Sequence, residues 1–186
     1  NPIPEELQAR ALRRQQQLAK PDHQPLPDDV RQLFPSEFEE TEELGWVPKG
    51  WMIRRVEDVS EKIAMGPFGS NLKVSTFVER GVPIISGHHL KGFLLDEHKH
   101  KFITNEHADK LKNSTVFPGD IIFTHAGNIG QVALIPQSVS YEKFVISQRQ
   151  FYLRPKLSDI SAAFLLYYFK SHMGQYKLLA NASQVG

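Results

Sequence analysis

A glycine-containing segment, 66-GPFGSNLK-73, has the composition of a loop that could hold a phosphate group. A nucleotide-binding P-loop spaces its glycines so that successive backbone N–H groups surround a phosphate, and then continues with Lys and Ser or Thr at the start of a helix. Here Lys73 is followed by Val74, so the required Lys-Ser/Thr pair is missing. The segment is therefore a weak candidate for a free nucleotide, and its target has to be judged from the other polar segments.

Four short polar segments carry side chains that could read DNA. Asn and Gln can pair with adenine through two hydrogen bonds, Arg can do the same with guanine, and Lys, Ser and backbone N–H groups can hold phosphates. The candidate DNA-binding residues are Ser70, Asn71, Lys73, Ser86, His88, His89, Lys91, His125, Asn128, Gln131, Gln148 and Arg149. The same residue types also form local hydrogen bonds in surface turns, and the glycines could simply supply turns with positive φ, so both interpretations stay open.

The histidines raise the question of a metal site. They occur at 88-HH-89, in 98-HKHK-101, and at His107 and His125. A zinc site needs three or four ligands at tetrahedral distance, usually with an orienting second layer of hydrogen bonds. The chain has neither an HExxH helix nor a recognisable quartet of ligands. We therefore predict surface histidines beside a basic strip, with no metal.

Catalytic motifs are also missing from the sequence. There is no G-x-S-x-G elbow, and nothing groups Ser, His and Asp into a triad. A base-modifying methyltransferase would need its own cofactor loop and an Asn/Asp-Pro-Pro-aromatic strand, and neither is found. We predict a non-catalytic protein without a cofactor of its own.

The elements that would position these loops are mostly strands. Short apolar runs separated by Gly, Pro, Asn and Asp predict a sheet-rich domain after residue 50. The predicted strands lie within 51–56, 82–86, 121–125, 131–135 and 144–153. Because strands and helices do not alternate in regular βαβ units, the fold class is predicted as α+β. Its polar loops would present the recognition groups.

Two helical segments interrupt or close this predicted sheet. The first is predicted at 104–112 with Thr104 as its cap, and the second over 158–181 with Ser158 or Asp159 as its cap. In the second, apolar residues recur at helical spacing, which indicates a face packed on the core. These residues are Ala162, Leu165, Leu166 and Phe169.

Residues 1–45 predict an N-terminal helical arm followed by a linker. Pro4 and two glutamates open a helix over about 4–19, and basic residues precede Pro21 at its end. Its apolar stripe is thin, so we expect it to pack against something outside the main core. Residues 20–50 are rich in proline and acid, with a short helix predicted at 28–34. We interpret this stretch as a linker or surface strap, and its acidic run 37–43 as a solvated segment.

The composition of the chain indicates its cellular compartment and the kind of partner that it could bind. The 186 residues include no cysteine, so a disulfide framework is excluded and a reducing cytoplasm is expected. No apolar run approaches the roughly 20 residues needed to span a bilayer, and no signal peptide is recognisable, so we predict a soluble cytoplasmic protein. Residues 1–50 carry 6 Lys+Arg and 10 Asp+Glu, whereas residues 51–186 carry 16 and 11. This basic body suits a polyanion partner, although an ordinary solvated surface also explains it.

The order of the motifs resembles a target recognition domain in the specificity subunit of type I restriction-modification enzymes. The entry 48-PKGW-51 resembles the Pro-x-Gly-Trp start of such domains, and 55-RVEDV-59 is followed by the glycine-containing loop. Three later segments also match the pattern in order: 82-VPIISGHHLKG-92, 116-VFPGDIIFTHAGNIGQVALIP-136 and 147-SQRQFYLRP-155, which leads into the helix at Asp159. The resemblance covers roughly residues 34–186, and its strength lies in the ordered set, because each piece alone is degenerate.

The resemblance implies a division of labour among polypeptides. The recognition domain would bind one half of a bipartite DNA site, while separate modification subunits carry S-adenosylmethionine and methylate adenine, and restriction subunits use ATP to translocate and cleave. Residues 66–73 would then address double-stranded DNA through backbone amides and Lys73. Specificity subunits contain two such domains, each followed by a long spacer helix. We therefore expect residues 46–186 to form one recognition domain ending where the spacer helix starts, and the chain to be one half or a truncated piece.

Two other functions remain open from the sequence. The chain could be the recognition end of a fused restriction-methyltransferase, which a cofactor motif upstream of Asn1 would favour. It could also be a protein-interaction module that uses the acidic strap and the helix at 4–19.

Overall fold

The computed structural model describes residues 2–25, 27–31, 35, 37–42 and 45–180. Two compact units divide the chain, Asn1–Arg54 and Arg55–Gly186. Within the part of the chain that is described, no helix has both the length and the hydropathy needed to cross a membrane.

The described residues of the first unit form two helices and a hairpin. Helix α1 (Glu5–Leu18) confirms the predicted helix at 4–19, and none of its residues is buried. Helix α2 (Asp28–Arg31) begins where the short helix was predicted, while the predicted continuation through 32–34 lies outside the described residues. Strands β1 (Phe38–Thr41) and β2 (Gly45–Pro48) pair antiparallel. The predicted solvated run 37–43 contains strand β1, and its described glutamates, at 37, 39, 40 and 42, are exposed as expected.

The second unit is built on two four-stranded sheets. The first has the order β3 (Ser60–Met65), β10 (Gln150–Pro155), β7 (Ile121–Thr124), β8 (Val132–Leu134), with every pair antiparallel. The second has the order β5 (Lys101–Ile103), β4 (Val82–Ile85), β9 (Phe144–Ile146), β6 (Thr115–Val116), and its β4–β9 pair is parallel. Buried side chains of both sheets share one core cluster, which includes Ile85, Ile122, Phe144, Ile146 and Tyr152.

The strand predictions at 82–86, 121–125 and 131–135 are confirmed, and 144–153 proves to be two strands joined by a turn. The predicted strand at 51–56 is wrong. Its apolar residues Trp51, Met52, Ile53 and Val56 are exposed, and the strand that pairs with β10 is β3 instead. In β3, half-buried and exposed residues alternate, as expected when only one face of a strand packs.

The helices of this unit follow their predicted caps in part. Thr104 caps α3 (Asn105–Lys110), and its hydroxyl accepts a hydrogen bond from the His107 amide. The predicted segment at 158–181 is two helices, α4 (Ala162–Lys170) and α5 (His172–Leu179). The predicted cap at Ser158 or Asp159 is wrong, because the Ser161 hydroxyl caps α4 and that of Ser171 caps α5. The predicted core face is confirmed for its three large residues, Leu165, Leu166 and Phe169.

A buried ion pair joins β10 to the turn that precedes β7. The Arg154 guanidinium donates two hydrogen bonds to the Asp120 carboxylate, at 2.8 and 2.7 Å. The Phe117 amide donates a third at 2.9 Å. Asp120 is only 1% exposed, and the guanidinium lies over the rings of Phe117 and Tyr152. The carboxylate therefore has compensation for the water it loses on burial.

Candidate nucleic-acid interface

Four polar loops lie together because of the direction of four strands. Residues 66–77 follow β3, 86–92 follow β4, 125–131 follow β7, and 147–149 follow β9. Strands β3 and β7 both pair antiparallel with β10 and so end at the same edge, and the parallel pair β4–β9 also ends together. The turn 147–149 leads from one sheet into the other, so all four loops gather at this edge. We call these four segments the loop cluster.

Backbone hydrogen bonds hold the other three loops against the 147–149 turn. The Ser147 amide donates to the Ile85 carbonyl at 2.9 Å, and the His125 amide donates to the Arg149 carbonyl at 3.0 Å. The Gly66 amide donates to the Gln150 carbonyl at 2.8 Å. Gln150 is buried and accepts a hydrogen bond from the Ser147 hydroxyl, which closes the turn. These backbone hydrogen bonds therefore connect the four segments of the loop cluster where they leave the strands.

The environment of Gly66 shows why a glycine is required at the start of the 66–73 segment. A Cβ at this position would overlap the carbonyl oxygen of Ser147, so only glycine allows this close approach. Neither Gly66 nor Gly69 has the positive φ of a left-handed turn. The amides of Gly66 and Asn71 both donate within the protein, so they are not available to surround a phosphate. This leaves Lys73, which is exposed, as the cationic group of the segment.

An open groove of about 480 Å³ is lined by residues of three of the four segments of the loop cluster, 66–77, 86–92 and 147–149, together with residues of β4 and β5. Its lining combines apolar side chains with hydroxyl, amide and cationic groups: Leu72, Val74, Phe77, Ile84, Ser86, His88, Lys101, Ser147, Gln148 and Arg149. None of the described residues that line it carries a carboxylate. Such a surface can attract phosphates and can present hydrogen-bonding groups to base edges.

The predicted site residues differ in how accessible they are. The exposed ones are Asn71, Lys73, His88, Lys91, Asn128, Gln148 and Arg149. Ser86, His125 and Gln131 are half-buried and already make hydrogen bonds, for example from Thr124 Oγ1 to Gln131 Oε1 at 3.4 Å and between His125 Nε2 and the Gln148 carbonyl at 3.2 Å. Of the predicted site residues, Ser86, His88, Gln148 and Arg149 line the groove, whereas the exposed residues Asn71, Lys73, Lys91 and Asn128 do not. The side chain of Ser70 lies outside what the structure describes.

His89 lies inside the protein, so the prediction that the histidines are surface residues is wrong for it. The residue is 1% exposed, and its Nδ1 accepts a hydrogen bond from the Ser86 amide at 2.9 Å. Its ring stacks on that of His100 at 4.3 Å and lies 3.8 Å from that of His88. Burial, followed by the two neighbouring imidazoles, lowers the pKa of His89 to about 4. The side chain is therefore neutral and supports the Ser86 loop from beneath, where DNA has no access.

Other residues of the site were missed by sequence reasoning. Lys101 lines the groove from β5, a strand of three residues that is too short to be predicted. Gln175 on α5 donates from Nε2 to the carbonyls of Gly130 (3.0 Å) and Phe169 (2.7 Å), which connects α5 to the 125–131 loop. No local signal marks either role. Among the described residues, no group of three or more His, Cys, Asp or Glu side chains is arranged to hold a metal ion.

Residues 48–185 match the family model of the type I restriction modification DNA specificity domain. The chain belongs to this family. The role of this domain is recognition of DNA sequence, which is not a catalytic role. The resemblance stated from the ordered motifs is thereby confirmed.

Two solved structures share the fold of this specificity domain. One comes from a study of complex assembly and conformational transition in the type I R-M system, with a TM-score of 0.54, 20% identity, and coverage of 94% of this chain and 38% of that chain. The other is the HsdS subunit from Thermoanaerobacter tengcongensis, with a TM-score of 0.50, 20% identity, and coverage of 95% and 46%. The chain thus spans less than half the length of either. The α+β prediction is confirmed. A search of curated proteins finds no match.

Proposed function

We propose that the loop cluster is the surface with which this specificity domain binds double-stranded DNA, and that it reads one half of a bipartite site. The main support is the groove, because hydroxyl, amide and cationic groups from the 86–92 and 147–149 segments and from Lys101 face one opening that no described carboxylate lines. In this proposal Lys73, Lys101 and Arg149 attract the phosphates. Asn71, Asn128 and Gln148 are exposed near them and would provide hydrogen bonds to base edges.

The reactions would be carried out by partner polypeptides. In our proposal residues 46–186 act as one recognition domain of a longer specificity subunit in the cytoplasm. That subunit would direct methyltransferase subunits, and through them restriction subunits, to the site. The domain would bind no cofactor of its own.

DNA binding at several salt concentrations tests the proposal. Each phosphate contact releases counterions, so the logarithm of the affinity should fall with the logarithm of salt at a slope of about −0.9 per contact. We expect Arg149→Ala to lower the affinity about tenfold and to reduce the salt slope by about 1, because it removes a phosphate contact. Fluorescence anisotropy with labelled duplexes, drawn first from a random pool, measures both quantities.

Lys156→Ala is the matched control. Lys156 follows the far end of β10, whereas Gln150, at the other end of that strand, directly follows the 147–149 segment of the loop cluster. Removing this cation should change the affinity less than twofold. A folded chain, supplied with its methyltransferase subunits, whose affinity for every duplex is absent or independent of salt would overturn the proposal.

A further inference from the structure

Phe68 is the most exposed of the large apolar side chains described, at 86%. The backbone that carries it is nevertheless fixed. The preceding Pro67 is buried, and Gly66 is hydrogen-bonded to Gln150 and packed against Ser147. On the other side, the Phe68 carbonyl accepts a hydrogen bond from the Asn71 amide at 2.8 Å, which closes a single 3-10 turn over Gly69–Asn71. The ring is therefore held out in solvent by a rigid turn.

The position of this ring relates it to the proposed DNA surface. The same loop continues into Leu72 and Val74, which line the groove together with Gln148 and Arg149. Val74 is 81% exposed, so a second apolar group stands in the same loop. Phe has no hydrogen-bonding group, so it can neither hold a phosphate nor read a polar base edge. With a duplex it can make an apolar contact to a thymine methyl group, or insert between base pairs as an apolar wedge.

We propose that Phe68 is a wedge that inserts into one base-pair step of the DNA bound by the loop cluster and unstacks it. This inference rests on the proposed function. The hydrogen-bonded turn favours insertion of the Phe68 ring between base pairs. Because the backbone is already ordered, little conformational freedom is lost when the ring enters the base stack. The wedge adds specificity as well, since pyrimidine–purine steps open more easily than others.

Fluorescent duplexes test the wedge. Duplexes of about 30 base pairs are selected from a random pool by the wild-type chain together with its methyltransferase subunits, and 2-aminopurine then replaces adenine at one position at a time. The fluorescence of 2-aminopurine rises when the base is unstacked. We expect wild type to raise it severalfold at one step, Phe68→Ala to abolish the rise, and Phe68→Leu to keep part of it, because leucine is also used as a wedge.

Affinity gives a second readout. Phe68→Ala should bind the selected duplex about tenfold more weakly with an unchanged salt slope, because no charge is removed. A mismatch at the opened step should restore most of this loss, because that step no longer has to be unstacked. Leu157→Ala is the matched control, since Leu157 is 64% exposed and follows the far end of β10. It should match wild type in both measurements.

Each other result overturns the wedge in a distinguishable way. Wild-type affinity and fluorescence in Phe68→Ala exclude any role for the ring on DNA. Weaker binding with the fluorescence rise intact, or an equal loss when deoxyuridine replaces one thymine, indicates a contact with a thymine methyl group. Normal DNA binding with loss of the methyltransferase subunits indicates a protein contact. A wild-type chain that binds no duplex overturns the proposed function and the wedge together.

Discussion

At the scale of single residues, the loop cluster depends on side chains that never reach its surface. His89 supports Ser86 through Nδ1, and Gln150 closes the 147–149 turn. Both are 1% exposed. His89 Nδ1 and Gln150 Oε1 have protein hydrogen-bond partners in place of water, and these bonds hold the backbone from which Ser86, His88, Gln148 and Arg149 project. The residues expected to touch DNA are therefore positioned by buried polar residues directly beneath them.

Acid should destabilise the fold through His89. Its pKa is about 4 in the folded protein against an ordinary 6.5, so between these values the unfolded chain binds more protons than the folded one. This contribution to stability is complete above pH 6.5 and is lost as the pH falls towards 4. Protonation would also turn Nδ1 into a donor facing the Ser86 amide. Thermal melting from pH 7 to pH 4.5 measures the effect.

His89→Asn separates this residue from the other acid-sensitive groups. The asparagine Oδ1 can still accept from the Ser86 amide but does not titrate. The melting temperature of the variant should fall by a few degrees less than that of wild type over the same pH range. His98→Asn removes an exposed imidazole as a control and should follow wild type. If the melting temperature of His89→Asn falls with pH as much as that of wild type, His89 is not the group whose protonation destabilises the fold.

At the scale of elements, the sequence predicts those whose signal is local. Strands β4 and β7 are buried at every position, so they stand out as apolar runs. Strand β3 packs on one face only, and it contains the charged residues Glu61 and Lys62. Its sequence is therefore less apolar than the neighbouring stretch 51–56, which was predicted as the strand instead. Strands β5 and β6 have 3 and 2 residues and exist because β4 and β9 supply partners. Non-local pairing of this kind leaves little trace in a short window of sequence.

The candidate site shows the same limit. Residue types alone indicate four DNA-reading loops, but their meeting depends on the parallel pairing of β4 with β9 and on the position of β10 between β3 and β7. The burial of His89 also escapes prediction, because the adjacent His88 is exposed on the same 3-10 turn. Composition therefore predicts the chemistry of the site, whereas its geometry requires the sheet topology.

The Asp120–Arg154 pair should be the main electrostatic contribution to the stability of the first sheet. Asp120→Ala leaves the guanidinium, whose side chain is 27% exposed, without its carboxylate and leaves the Phe117 amide without an acceptor. Removing one partner of a buried pair typically costs about 3–5 kcal/mol. We expect the lower end of this range, since Arg154 keeps some contact with water. Urea denaturation measures the free energy of unfolding.

Glu106→Ala is the control for the ion pair. It removes an i,i+4 pair with Lys110 in which both side chains are at least 70% exposed, so the loss of stability should be much smaller than that of Asp120→Ala. If Asp120→Ala costs no more than this control, the buried pair does not stabilise the sheet. If the free energy of unfolding depends on urea concentration with a similar slope in both variants, the difference between their unfolding midpoints reflects a difference in stability.

At the scale of the whole molecule, the two units differ in charge and in how they are stabilised. Residues 1–54 carry 7 Lys+Arg and 10 Asp+Glu, whereas residues 55–186, which contain the loop cluster, carry 15 and 11. Helix α1 has 14 residues, none of them buried, and exposes Leu12 and Leu18. An isolated helix of this length is marginal in water, and most helical stability comes from packing of an apolar face. We therefore predict that the apolar residues of α1 pack against another polypeptide rather than against DNA.

Deletion of residues 1–43 tests this separation of roles. It removes α1, α2 and β1 but leaves the whole range 48–185 that matches the specificity domain. DNA affinity should stay within about threefold of the full chain, because every residue of the loop cluster remains and the removed segment is acidic. Capture of the methyltransferase subunits should weaken at least tenfold, and deletion of residues 1–24 should reproduce this loss with the hairpin intact. Assembly that survives both deletions would contradict a role for α1 in binding the methyltransferase subunits.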